Sequence, residues 1–98
     1  MSAEQMNTLE EIRAQIDVID AKLITLLAER QKYVKRAGEI KPKNNPMAVA
    51  APDRVAQVIA KRREQAEVVG LAPDVAEAVW QAMITAFIAF EHQINVAD

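Results

Sequence analysis

Apolar residues recur through the first third of the chain in alternating steps of three and four: Leu9, Ile12, Ile16, Ile19, Leu23 and Leu26, then Tyr33, Ala37 and Ile40. Such spacing is the narrow seam of a helix that lies against other helices. It predicts one helix from Leu9 to Lys41, without Pro and with Gly38 as its one glycine. Asn7 or Thr8 would cap it, with Glu10 and Glu11 favourably placed in the first turn. Arg30 breaks the seam, standing where Leu or Ile is expected, and Lys41, eleven residues on, returns to nearly the same face.

Pro42, Asn44, Asn45 and Pro46 stop this helix and open a connection that runs to about Ala51. With Lys41 at its entrance and Lys43 inside it, the connection reads either as a mobile lid over a pocket or as a slack link. Pro52 suits the first turn of a second helix, from about Asp53 to Val69, stopped by Gly70. Val55, Val58, Ile59 and Ala66 turn toward a core, while Lys61, Arg62, Arg63, Glu64 and Glu67 face water. A third helix begins at Pro73 and Asp74 and runs to about Ile94. From Val79 to Phe90 its polar residues are Gln81 and Thr85, so it is expected to be buried nearly all round, under the other helices and under a partner chain. Glu91 continues the face of Ile84 and Phe87, either as a buried carboxyl or as a solvated helix end.

At 98 residues and 51% hydrophobic, the chain has room for one core. The expected fold is all-α: a single domain over 1–98, three helices with a very long first one. That long seam must be covered by the later helices or by another copy, which favours an oligomer. A net charge of -2 argues against a nucleic-acid partner, whose binding needs clustered Lys and Arg. No apolar run reaches membrane-spanning length, and MSAEQMNT lacks the basic and apolar regions of a leader, so a cytoplasmic protein without a membrane partner is expected.

The reactive inventory is poor. There is no Cys, Ser2 is the one Ser and His92 the one His, and two glycines cannot make a phosphate-binding loop. No metal and no cofactor is therefore expected, and an enzyme built from these groups must work by binding and electrostatics. Eleven helical residues separate the Cα atoms of Arg30 and Lys41 by about 16 Å, a gap two long side chains can close on a small anion. Arg13, about 25 Å from Arg30 along the same axis, cannot join them from the same chain. It can do so only from an antiparallel second copy, in a homodimer. Two readings stand: a helical dimerisation module, which needs an acid facing Arg30, or an enzyme for a small dicarboxylate clamped by Arg30, Lys41, Arg54 and a partner's Arg13.

The stretches IRAQIDVID, LLAER, Lys41, PDRV and FEHQ together resemble the all-helical chorismate mutase family across essentially the whole chain. The resemblance implies an intertwined homodimer of three-helix chains, each site taking one Arg from the neighbouring long helix. It also implies a cofactor-free pericyclic rearrangement of chorismate, a ring dicarboxylate with an enolpyruvyl ether, to prephenate. Carried over, Arg13 of the partner, Arg30 and Arg54 hold carboxylates, Lys41 donates to the ether oxygen, and Glu91 falls where the family places Gln or Glu. Val55 and Phe87 complete the substrate-binding set. Where many mutases carry carboxylates that receive the ring hydroxyl, this chain has Ala51 and Val55. That departure, with PDRV, is similar to the isochorismate pyruvate lyases, which share the fold. Isochorismate, cleaved to salicylate and pyruvate, is thus the alternative substrate.

Overall fold

A computed structural model describes residues 2–96, and among them every regular element is helical. A 3-10 turn η1 (Ala3–Gln5) precedes α1 (Leu9–Ile40), followed by the short α2 (Pro46–Ala50), then α3 (Pro52–Val69) and α4 (Pro73–Val96). The three long helices are those the periodicity predicts. Thr8, rather than Asn7, caps α1: its Oγ1 accepts from the Glu11 N–H at 3.1 Å. At the other end Lys41 still donates its N–H to the Ala37 carbonyl at 2.9 Å but lies outside the helix. It precedes Pro42, whose ring disfavours helical backbone at that position.

The connection after α1 is neither slack nor without structure. Asn45 Oδ1 accepts from the Ala48 N–H at 3.0 Å, and Pro46 takes the first helical position, so a single turn forms where a loop was expected. Val49 in that turn is buried, and α2 packs on α4. Ala51 then adopts left-handed backbone, φ 40° and ψ 60°, closing α2 through its N–H to Met47 and starting α3 one residue later. Gly70, at φ 79°, ends α3 as expected.

The chain divides inside α1 into a unit ending at Lys32 and a unit beginning at Tyr33. In the first, Leu9, Ile12, Ile16, Ile19, Leu23 and Leu26 are each between 38% and 58% exposed, so the seam read from the sequence is left about half open. In the second, Val49, Val58, Ala66, Ala76 and Ile84 form the core. The expectation that α4 is buried nearly all round needs correction for the single chain. One stripe is buried (Ala76, Ile84, Glu91 and Asn95), whereas Val75 and Val79 are about half exposed. Both α3 and α2 pack on α4, and Gly38 and Lys41 at the close of α1 meet Glu91 and Asn95. Among the described residues no helix is long and apolar enough to cross a membrane.

Candidate active site

From Ile84 the inner stripe of α4 advances by four, three and four residues to Ile88, Glu91 and Asn95, the spacing of one helix face. Its last two members are polar. A carboxyl group at such a position needs a hydrogen-bond partner, because a buried polar group left unpaired costs free energy. Lys41 supplies one: its Nζ donates to Glu91 Oε2 at 2.8 Å, with side-chain exposures of 29% for Lys41 and 8% for Glu91. Glu91 is therefore not a solvated helix end. Pro42 takes the chain away from α1 just where the Lys41 ammonium turns to α4.

Two further residues shape this corner. Gly38 in α1 faces Glu91 so closely that a Cβ added there would lie 3.0 Å from Glu91 Cγ. Asn95 is fully buried and donates from Nδ2 to the carbonyls of Gly38 at 3.1 Å and Pro42 at 3.0 Å, with Lys41 O at the 3.5 Å limit. Its Oδ1 accepts from the Asn45 N–H at 2.9 Å. Sequence reasoning passed over Asn95 and noted Gly38 only as a glycine within a helix. The available signal for Asn95 was its place four residues after Glu91, a polar residue prolonging an apolar face.

The other candidates are distributed over α1, α3 and α4. Arg54, in the first turn of α3, is exposed and joins no ion pair among the described residues. Val55 beside it is half-buried, as is Phe87, whose ring meets Phe90 edge to face with centroids 6.5 Å apart. Arg13 and Arg30 lie on α1 in the unit ending at Lys32, Arg13 exposed and Arg30 half-buried. Lys41 and Glu91 are thus two candidates that a hydrogen bond joins directly.

The basic run in α3 is not simply a solvated surface. Arg63 donates to Asp74 Oδ1 and Glu77 Oε1, both at 3.0 Å, and Arg62 lies over the Trp80 ring, 5.6 Å from its centroid. The Asp74 hydrogen bond, opposed by desolvation and seconded by Glu77, raises the Arg63 pKa above the ordinary arginine value. These contacts fasten α3 to the first turns of α4. Among the described residues no cluster of three His, Cys, Asp or Glu side chains could hold a metal ion.

A family model described as chorismate mutase type II matches residues 12–92. The chain is 32% identical over 90 residues to the T-protein of Haemophilus influenzae, covering 92% of this chain and 24% of that one. To the bifunctional chorismate mutase/prephenate dehydratase of Aquifex aeolicus it is 36% identical over 95 residues, 94% of this chain and 26% of the relative. It therefore spans about a quarter of those two proteins. The isochorismate pyruvate lyase of Pseudomonas aeruginosa is 35% identical over 86 residues, 88% of this chain and 83% of the lyase.

Proposed function

The chain belongs to the chorismate mutase type II family, and from that membership we propose that it converts chorismate to prephenate as a homodimer of one helical domain, 1–98, using no cofactor. In this rearrangement the ether carbon–oxygen bond breaks as a new carbon–carbon bond forms, within one molecule and without a nucleophile. Negative charge gathers on the ether oxygen. A donor fixed where that charge develops stabilises the transition state more than the ground state.

The observation that carries the reading is the Lys41 ammonium held at 2.8 Å from the buried Glu91 carboxyl. Lys41 is assigned the hydrogen bond to the ether oxygen. Glu91 is assigned the second donor to the same oxygen, because a group at that place helps only by donating. Arg30, Arg54 and the partner subunit's Arg13 are assigned the substrate carboxylates, with Val55 and Phe87 against the ring. The exposed seam from Leu9 to Leu26 supports the dimer: a stripe of large apolar side chains on a helix this long is the kind of surface a second copy covers.

One observation favours a second substrate. Val55, half-buried at the first turn of α3, offers nothing to a ring hydroxyl, and the lyase is matched over most of its length. In that reaction a hydrogen passes from the ring to the enolpyruvyl carbon as the ether bond breaks, giving salicylate and pyruvate from isochorismate. Measuring kcat/KM for chorismate and isochorismate on one preparation decides between them. The mutase reading expects the larger value on chorismate, with prephenate as product. A larger value on isochorismate, with salicylate formed, gives the lyase, and turnover of neither leaves the helical dimerisation module.

A further inference from the structure

The end of α1 has a gap in its hydrogen bonding that the sequence creates. In a continuing helix the Gly38 carbonyl would accept from the N–H of residue 42, but Pro42 has none. Asn95 fills that role from another helix: its Nδ2 reaches Gly38 O at 3.1 Å and Pro42 O at 3.0 Å, one on each side of Lys41 in sequence. Asn95 is also four residues beyond Glu91 on the same buried stripe. One turn of α4 therefore carries both the carboxyl that meets the Lys41 ammonium and the amide that fixes the Lys41 backbone. A second tie, Asn45 N–H to Asn95 Oδ1 at 2.9 Å, anchors the chain on its way into α2.

We propose that Asn95 is a positioning residue for Lys41, holding the backbone on either side of it so that the ammonium is presented at a fixed place beside Glu91. The proposal rests on the functional reading above for what Lys41 then does, but the geometry it concerns can be measured without turnover. Its physical basis is that a donor on a long flexible side chain loses effect when its Cα is free to shift, a misplacement of about 1 Å costing up to about 100-fold in rate.

The test uses Asn95→Ala and Asn95→Asp, the second keeping the volume and the acceptor while losing the amide donors. Both are first checked for helicity and cooperative urea unfolding. Folded variants are expected to lose on the order of 10- to 100-fold in kcat, with KM changed far less. Acetylation of Lys41 by an N-hydroxysuccinimide ester, read by mass spectrometry against the exposed Lys22 and Lys32, is expected to rise several-fold. Either change without the other overturns the proposal, as does neither. A wild-type protein that turns over neither substrate would sink the functional reading, whereas unchanged Lys41 labelling sinks the role of Asn95. If neither variant folds, hydrogen exchange on the wild type decides. The Asn45 amide should exchange as slowly as the helical amides of α4, and exchange at the rate of an open loop would overturn the proposal.

Discussion

Gly38 and Glu91 meet too closely for a methyl group to enter without a shift of their neighbours: a Cβ at Gly38 would stand 3.0 Å from Glu91 Cγ and 3.1 Å from the Glu91 carbonyl oxygen, with Ile94 Cβ at 3.3 Å. Gly38→Ala therefore sets two effects against each other. Alanine improves helix propensity by about 1 kcal/mol, while overpacking a tight contact costs about 1–3 kcal/mol. The carbonyl is part of α4 and cannot turn aside, so the clash is expected to win by about 1 kcal/mol. Urea unfolding should show that loss; a stabilised Gly38→Ala protein would mean that the two helices separate here at little cost.

The same carboxyl gives a prediction about donor chemistry. At an ether oxygen that gathers negative charge Glu91 helps only as a hydrogen-bond donor. Glu91→Gln keeps an N–H donor at that place and should retain most of the activity, whereas Glu91→Ala removes the donor and should lose on the order of 10²-fold in kcat. A harmless Glu91→Ala would remove Glu91 from the reaction.

Ala51 joins α2 to α3 in left-handed backbone, φ 40°, a conformation that costs a residue with a Cβ about 1–2 kcal/mol. Glycine removes that cost but loses about 0.4–1 kcal/mol through its freer unfolded chain. Ala51→Gly should thus stabilise the protein by about 0.5–1 kcal/mol. A lower melting temperature would show that the corner is held by packing of the Ala51 methyl group instead.

How much of this could be read from the chain alone follows from the range of each interaction. The seam of α1 repeats over many turns, so periodicity exposes it, and Arg30 and Lys41 are visible as breaks in it. Five residues are too few for a period, so α2 was legible only through Asn45 and Pro46, which were read as stop signals for the preceding helix. Arg63 looked solvated because its partners Asp74 and Glu77 lie across the Gly70 turn, beyond the reach of any local rule. Asn95 escaped for the same reason, since the carbonyls it serves are more than fifty residues away.

The seam that the single chain leaves exposed gives the dimer a direct test. Arg13→Ala and Arg30→Ala should each be nearly inactive, yet regain activity when unfolded together and refolded. Some sites of the mixed dimer then hold wild-type arginine at both positions. A mixed dimer, verified by mass, that shows no recovery would remove the shared site.

The central claim is that Lys41 carries the stabilising charge, and Lys41→Gln tests it with the least disturbance, because the amide leaves the buried Glu91 with a donor. Chorismate turnover by wild type and variant, compared per folded molecule, is the decisive measurement. A loss on the order of 10²–10³ is expected, as for other preorganised donors. A variant within about threefold of wild type, far short of that loss, would contradict the account.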